Sequence, residues 1–535
     1  MDDWWRGAVI YQVYPRSFQD TSEDGIGDLP GITQRLGHIA ALGVDAVWVS
    51  PFFKSPQADF GYDVEAYREV DPLFGSLEDF DRLVARAHDL GLKVMIDMVL
   101  SHTSNRHPWF LESRRSRNNS KADWYVWADW RADGTPPNNW LSIFGGPAWQ
   151  WEPRRHQYYL HNFLAAQPDL DLHNPAVVEA LLGEVEFWLQ RGVDGLRLDA
   201  IDFAMHDPEL RDNPARGPDE PVPRGLQPNA PYSRQRHVYS KNHPLIPTGL
   251  LQPLRTLADR YGAVLLGELS GEGQLERIRT FTEDDRLLHF AYSFDLLDTA
   301  FTPTALRGLI DELEGGLGAG WPCWSFGNHD VARAVSRLGG PLPGPAFARL
   351  LPVLLASLRG SICLYQGEEL GLPEAELAFE DLVDPPGIAF WPEYRGRDGC
   401  RTPMPWASNR PHGGFSEAKP WLPMPVGHLD LAVDRQEREP GSTLHAVRRF
   451  LRWRRSQPEL RRGAIRFVDA PDPVLAFERR QGDRALLLAF NLGPEPVVFA
   501  PAAETTPLEG HGLEGRHQDG GIQLAGYAGY IGRLS

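Results

Sequence analysis

Short apolar runs alternate with segments of helical periodicity along most of the chain. The runs are rich in β-branched and aromatic residues, as buried strands are. Segment 77–90 between two of them has apolar residues at helical spacing, Ser76 as its N-cap and Gly91 after its end, and 177–190 is similar. The predicted strands are 8–18, 46–50, 93–99, 195–199, 264–268, 290–296, 322–326 and 362–365.

Eight alternations of strand and helix predict an α/β protein whose parallel strands close into a (β/α)8 TIM barrel. Functional side chains of such a barrel lie at the carboxyl ends of the strands. The last barrel helix is predicted near 444–455, and period-two alternation follows it, which is typical of antiparallel strands.

Two segments interrupt the barrel pattern. The first is rich in Trp, Asn, Pro and Gly and predicts an inserted domain after the third strand, and the second, 207–247, predicts a lid or rim after the fourth. The predicted domains are 1–103 (first part of the barrel), 104–173 (inserted domain), 174–457 (second part of the barrel) and 458–535 (C-terminal β-sandwich).

Composition excludes several classes of partner. The 72 acidic and 54 basic residues give a formal charge of −18, which repels nucleic acid and anionic lipid. The first residues do not resemble a signal peptide, and no apolar stretch is long enough to span a bilayer. Three scattered cysteines argue against a disulfide framework, so we expect a cytoplasmic protein. We also expect a monomer or homodimer with no nucleic-acid or membrane partner.

Three predicted strands deliver carboxylates to one end of the barrel. Arg197 and Asp199 are two residues apart and share a face of the fourth strand, where the guanidinium favours an ionised carboxylate. Glu268 ends an apolar fifth strand, and burial raises the pKa of such a group and suits it to acid catalysis. The seventh strand ends in His329 and Asp330.

Paired carboxylates on a barrel rim favour glycoside hydrolysis, in which one attacks the anomeric carbon and the other protonates the leaving oxygen. Each residue alone has a structural alternative: the Arg197–Asp199 pair could be an ordinary buried ion pair, and His102, after the third strand, could be a core histidine. Aromatic residues make up 11% of the chain, which suits a sugar cleft but also an ordinary core.

Along nearly its whole length the chain resembles glycoside hydrolase family 13, the α-amylase family. The motifs that carry the resemblance are DMVLSH, GLRLDAI, the strand ending at Glu268, SFGNHD and QPDLDLHNP. The opening VIYQVYPRSF, with PNNW and RTPMPW, is similar to the bacterial α-glucosidase and oligo-1,6-glucosidase branch.

The resemblance implies a role for each matched residue. It makes Asp199 the nucleophile, Glu268 the acid/base, and Asp330 the carboxylate that grips and distorts the reacting glucose. Asp59 and Tyr62 would close the non-reducing end of the pocket and make the enzyme exo-acting. The other implied substrate-binding residues are the polar His102, Arg197, His329 and Arg397 and the apolar Phe144 and Phe163.

One position bears on linkage. Family members with Val directly after the nucleophile prefer α-1,6 bonds, and those with smaller residues prefer α-1,4 bonds. This chain has Ala200, so we expect maltose-like substrates.

The segment after the first strand resembles the family's cation loop. Oxygen-bearing side chains recur at alternate positions, which suits Ca²⁺ or Mg²⁺, and the alternative is a solvated acidic turn. Relatives commonly have Asn where this chain has Ser22. The expected ligands of this structural ion are Asp20, Ser22, Asp24, the Ile26 carbonyl and Asp28. No organic cofactor is expected.

The sequence therefore predicts a retaining, exo-acting α-glucosidase that acts by double displacement. Water as acceptor gives hydrolysis, and a sugar or alcohol acceptor gives transglucosylation. Other members of the family remain as alternatives: an oligo-1,6-glucosidase, a sucrose- or trehalose-forming isomerase, or an endo-acting amylase. A non-catalytic transporter-associated relative would have a membrane helix and lack the acids that this chain has.

Overall fold

The computed structural model describes residues 3–223, 226, 230–241, 247–270, 273–283, 286–297, 299–339, 344–518 and 521–535. Parallel strands form its central sheet, and we number them in chain order. They are β1 (Val9–Val13), β2 (Ala46–Val49), β3 (Lys93–Val99), β4 (Gly195–Asp199), β5 (Val264–Leu269), β6 (Phe290–Ser293), β7 (Cys323–Trp324) and β8 (Ser361–Tyr365).

The central sheet is the predicted (β/α)8 barrel. The strands follow the order β6-β5-β4-β3-β2-β1-β8-β7, and a parallel bridge between Ala291 and Pro322 joins the two ends. Side chains such as Trp48, Met95 and Tyr292 fill the interior, while alternate residues face the surrounding helices. The barrel is thus a packed core whose carboxyl ends are available for a site.

Helices surround the barrel. The one after β2 begins at a capping box in which Ser76 and Asp79 satisfy each other's backbone N–H, and the one after β3 is capped by Asn174. The long helices are Leu29–Leu42, Leu77–Asp89, Pro175–Leu189, Gln252–Tyr261, Gln274–Thr282, Pro303–Leu317, Pro345–Leu355 and Thr443–Arg455. Shorter ones are Pro108–Ser113, Ala334–Gly339, Pro385–Ala389, Val426–Leu429, Val433–Gln436 and Pro458–Arg462.

The insertion after β3 contains a small antiparallel sheet of Trp127–Ala128, Gln157–Leu160 and Trp149–Glu152. Its Trp140 is buried and donates through Nε1 to the carbonyl of Arg211, 2.8 Å away in the segment after β4. The two interruptions of the barrel therefore pack against each other. Within the predicted lid 207–247, residues 224, 225, 227–229 and 242–246 lie outside the described residues.

The C-terminal segment consists of two antiparallel sheets, as the alternation predicts. Side chains including Phe499, Ile522 and Tyr530 form their shared core. The five-stranded sheet has the order Ala464–Val468, Val474–Gln481, Arg484–Asn491, Gly529–Leu534, Thr505–Pro507, and the other has the order Val497–Phe499, Gly521–Leu524, Arg516–Gln518.

Three strands are shorter than the sequence predicts by more than one residue, among them the sixth, which ends at Ser293 rather than at residue 296. The first ends at Val13, because Pro15 lacks an N–H and begins a short helical turn, Pro15–Ser17. The seventh, predicted over 322–326, is limited to Cys323–Trp324. No helix in the described part of the chain has the length and apolar character that crossing a bilayer requires.

Candidate active site

Arg197 organises the carboxylates at the mouth of the barrel. Its side chain is fully buried, and Nη1 donates to Asp199 Oδ1 at 2.6 Å while Nη2 lies 2.5 Å from Glu268 Oε2. The backbone N–H of Ala200 donates to the same Glu268 oxygen at 2.9 Å. The oxygens that take part in none of these contacts are Asp199 Oδ2 and Glu268 Oε1.

Burial is the largest influence on the pKa values of Asp199 and Glu268. It raises the pKa of Asp199 to about 7 and that of Glu268 to about 8, although Arg197 opposes both shifts. Each carboxylate also disfavours ionisation of the other, so the pair releases its protons in two steps. At a pH between these values, one carboxyl of the pair is ionised while the other is protonated.

Two further residues complete the shell around Arg197. Asp97 on β3 accepts from Nη1 at 2.5 Å, and the Tyr292 hydroxyl on β6 accepts from Nε and Nη2 at 3.1 and 2.9 Å. Burial raises the pKa of Asp97 to about 6. The guanidinium thus has a partner on every nitrogen and cannot change its orientation without breaking several contacts.

Asp330 follows β7 and accepts from two guanidinium groups. Arg401 Nη2 lies 2.8 Å and Arg397 Nη1 3.1 Å from Asp330 Oδ1. Burial alone would raise the pKa of Asp330, but the neighbouring His329 and the guanidinium groups of Arg397 and Arg401 outweigh burial and hold it well below its usual range. Asp330 is therefore ionised at any pH near neutrality.

Arg397 also closes one end of the site. Its Nη2 donates to Asp59 Oδ1 at 2.9 Å and to Asp384 Oδ1 at 2.7 Å. The other Asp59 oxygen accepts from Gln167 Nε2 at 3.1 Å. Burial raises the pKa of Asp59 to about 6. This network joins the loop after β2, the insertion and the segment after β8.

His329 lies behind Tyr62 as a neutral group. Gln12 Nε2 is 2.8 Å from His329 Nδ1, so Nδ1 accepts and Nε2 carries the proton. Nε2 is 2.6 Å from the Tyr62 hydroxyl, and the two rings stack with centroids 5.5 Å apart. Burial lowers the pKa of His329 to about 3 and that of His102 to about 4.

Aromatic side chains form the walls. Phe163 contacts His102 and Phe144, with centroids 5.1 and 5.7 Å apart, and the Arg397 guanidinium lies 5.2 Å from the Phe144 ring centroid. Across the opening, a Cβ placed on Gly145 would lie 2.7 Å from Phe390 Cζ. The insertion and the segment after helix Pro385–Ala389 therefore touch above the site.

A cavity of about 500 Å³ connects most of the predicted residues. Arg197 and His329 are fully buried behind its surface, where they contact carboxylates and Tyr62. The predicted residues that line the cavity are Asp59, Tyr62, His102, Phe144, Phe163, Asp199, Glu268, Asp330 and Arg397.

Sequence reasoning missed several members of the site. Asp97 and Arg401 lie within quoted motifs, and their positions two residues from a strand end and four residues after Arg397 could have identified them. Asp384 and Phe390 lie in a segment without periodicity, and nothing in the sequence signals their proximity. The missed residues are Asp97, Gln167, Tyr292, Asp384, Phe390 and Arg401.

The acidic loop after β1 satisfies its carboxylates largely with its own backbone. Asp20 accepts from the N–H groups of Ser22, Glu23 and Gly25, and Asp24 from that of Ile26. Asp28 accepts from the backbone of Gly31, at the start of helix Leu29–Leu42. Among the described residues, this loop contributes no group of three acidic or imidazole ligands within 4.8 Å of one another. The predicted cation here remains a prediction.

Comparison with known proteins agrees with this geometry. The α-amylase catalytic-domain family matches residues 12–463. A probable α-glucosidase of Rhizobium meliloti is 54% identical over 539 residues, which cover 100% of this chain and 97% of the relative. An oligo-1,6-glucosidase of Heyndrickxia coagulans is 34% identical, with 97% of each chain covered.

Solved structures extend the likeness to the whole fold. The crystal structure of an α-glucosyl transfer enzyme superposes with a TM-score of 0.97 at 57% identity and covers 99% of both chains. A trehalulose synthase superposes with a TM-score of 0.88 at 32% identity, covering 99% of this chain and 100% of the synthase.

Proposed function

We propose that this chain, which belongs to the α-amylase family, is a retaining, exo-acting α-glucosidase of small α-glucosides that also transfers glucose. The observation that carries the proposal is the pair Asp199 and Glu268, held on adjacent nitrogens of Arg197 with pKa values near 7 and 8. One carboxylate can thus be ionised while its neighbour stays protonated, as retaining glycosidases require.

In the first step, Asp199 Oδ2 attacks the anomeric carbon, and the bond to the leaving oxygen breaks. Glu268 transfers its proton to that oxygen from Oε1, since Oε2 is occupied by Arg197 and the Ala200 N–H. The product of this step is a β-glucosyl ester on Asp199. Asp330 is fixed as an anion by Arg397 and Arg401, and it would hold glucose hydroxyls and favour the distorted ring.

In the second step, Glu268 removes a proton from the acceptor, whose oxygen displaces Asp199 and restores the α configuration. Water as acceptor gives α-glucose. A sugar or another alcohol gives a new glucoside. The aromatic residues around the opening, including Phe203 and Phe390, restrict water and would favour such transfer.

Exo action follows from the closed end of the cavity. The Arg397 pairs with Asp59 and Asp384 are nearly buried, so a glucan chain has no exit on that side. A terminal glucose would fill this end, with Asp59 accepting from its hydroxyls. Small substrates such as maltose fit this arrangement, and Ala200 favours α-1,4 bonds.

A substrate panel tests the proposal. The purified enzyme should release glucose from maltose faster than from isomaltose. It should not cleave internal bonds of soluble starch. Asp199→Asn should abolish all of these reactions while leaving the thermal unfolding temperature within a few degrees of wild type. Activity on starch with rapid loss of iodine staining would instead indicate an endo-acting enzyme.

The likeness to a trehalulose synthase supports a second candidate, a sucrose isomerase with the same catalytic residues. Incubation with sucrose distinguishes the two. Release of glucose and fructose supports the glucosidase, whereas a rearranged disaccharide as the main product supports the isomerase.

We also infer a bound cation, a cellular location and an oligomeric state for the enzyme. A structural Ca²⁺ or Mg²⁺ on the Asp20–Asp28 loop is supported by the number of oxygen atoms there and by the family resemblance. A cytoplasmic location is supported by three cysteines that are buried and free of disulfides. Sedimentation analysis should find a monomer or a homodimer.

A further inference from the structure

Two imidazoles and a carboxylate meet where the insertion joins the barrel, and none of the three side chains lines the cavity. One potential ligand atom from each of Asp171, His173 and His206 lies within 4.8 Å of those from the other two. The three residues form the only such group of acidic, histidine or cysteine side chains in the part of the chain that the structure describes. The mechanism proposed above uses none of them.

The backbone around these residues is well fixed. Asp171 donates from its N–H to the Trp124 carbonyl at 2.9 Å, and Asn174 caps helix Pro175–Leu189 three residues later. His206 comes from the loop after β4 and is only 8% exposed. The cluster therefore links the end of the insertion to the loop that follows Asp199.

Hydrogen bonds already orient two of the three groups. The backbone N–H of His173 donates to Asp171 Oδ1 at 3.1 Å, and its Nε2 lies 2.8 Å from the His206 carbonyl. A carbonyl only accepts, so Nε2 carries the proton and the lone pair is on Nδ1. Histidines that bind metals are commonly held by such a bond from the second ring nitrogen.

We propose that Asp171, His173 and His206 bind a transition-metal dication, with Zn²⁺ as the best fit. Two imidazole nitrogens and one carboxylate oxygen suit Zn²⁺ and its neighbours, whereas Ca²⁺ and Mg²⁺ prefer oxygen ligands throughout. Zinc ligands in a tetrahedron lie about 3.3 Å apart, given bonds of about 2.0–2.1 Å.

The bound ion would fasten the insertion to the loop after β4. The ion would take no part in the glucosyl transfer, because none of its ligands lines the cavity. Its expected effect is on stability: Zn²⁺ that binds only the folded chain raises the unfolding temperature. This inference does not rest on the proposed function.

Metal analysis of the full-length enzyme tests the site. After chelation and dialysis against Zn²⁺, mass spectrometry of the metal content should find one Zn²⁺ per chain, and the unfolding temperature should rise. Asp171→Asn and His206→Gln should weaken Zn²⁺ binding by more than about 100-fold, beyond the usual effect of losing an outer contact. Co²⁺ in place of Zn²⁺ should give visible absorption in wild type that both variants lose.

Two variants serve as controls. His88→Gln removes another Asp–His contact, His88 Nε2 to Asp194 Oδ2 at 2.7 Å, which belongs to no group of three such ligands among the described residues. Asp20→Asn alters the acidic loop after β1. Both should keep the Zn²⁺ stoichiometry of wild type. Absence of bound Zn²⁺ in wild type, or its retention by Asp171→Asn and His206→Gln, would overturn the proposal and leave the cluster as a hydrogen-bonded junction.

Discussion

Ala200, directly after the nucleophile, has a left-handed backbone conformation and also donates a hydrogen bond to Glu268. Its φ of 39° and ψ of 48° lie in the left-handed region, and its N–H donates to Glu268. A β-branched side chain is strongly disfavoured at such a backbone angle. The linkage rule that predicts α-1,4 preference from Ala200 therefore meets a physical constraint that the sequence alone does not show.

We expect Ala200→Val to cost about 1–3 kcal/mol of stability, the usual range for strained backbone angles. It should also raise the ratio of kcat/KM for isomaltose to that for maltose. Calorimetry and initial rates on the two disaccharides check these effects. Ala200→Gly is the matched control and should shift the linkage preference little, and an unchanged ratio in Ala200→Val would remove the argument for α-1,4 selectivity.

The pH dependence of kcat/KM follows from the same pair of carboxyls. Asp199 must be ionised, so activity rises with pH through its pKa near 7, and Glu268 must be protonated, so activity falls through its pKa near 8. We predict a narrow bell with its maximum between these values. Glu268→Gln should lower kcat by about 10²–10⁴-fold and abolish the alkaline limb. An alkaline limb that persists in this variant would assign that ionisation to another group.

At the scale of elements, the sequence is informative wherever a pattern repeats. Short apolar runs locate the barrel strands to within a few residues, apart from the end of the first strand, and helical spacing locates the helices Leu77–Asp89 and Thr443–Arg455. Asp199 and Glu268 could be identified because they end such strands. Asp384 and Phe390 could not, since long-range packing decides where an irregular segment lies.

The contact between Phe390 and the insertion predicts a role in acceptor choice. Phe390→Ala should open the mouth of the cavity, admit water and raise the ratio of hydrolysis to transfer at high maltose concentration. Chromatography of the products measures this ratio. Phe187→Ala, on helix Pro175–Leu189 outside the cavity, is the control and should leave it unchanged. An equal ratio in both variants and wild type would show that Phe390 does not govern access.

If the acidic loop after β1 binds a cation, Ca²⁺ should stabilise the folded protein. Adding Ca²⁺ to the chelated enzyme should raise the unfolding temperature by a few degrees, because an ion bound only to the folded loop stabilises it. Scanning calorimetry with and without Ca²⁺ measures the shift. Asp20→Asn should remove it, whereas His206→Gln should retain it. If wild type does not respond to Ca²⁺ or Mg²⁺, the hydrogen-bonded backbone alone holds the loop.

In the whole molecule, the cavity is assembled from regions that are distant in sequence. The barrel supplies Asp199 and Glu268, the insertion supplies Phe163, the predicted lid after β4 supplies Tyr232, and the segment after β8 supplies Arg397. The order of strands predicts that these regions meet, because loops after parallel barrel strands share one end. It does not predict how the irregular loops pack, and acceptor choice depends on that packing.

Retention of configuration at the anomeric carbon can be followed by proton NMR of the enzyme mixed with concentrated maltose. Glucose released from the non-reducing end should appear first as the α anomer, with any transfer products also α-linked, before mutarotation produces the β anomer. Initial β-glucose in excess of the amount that the reducing ends of maltose supply would contradict the double displacement through Asp199.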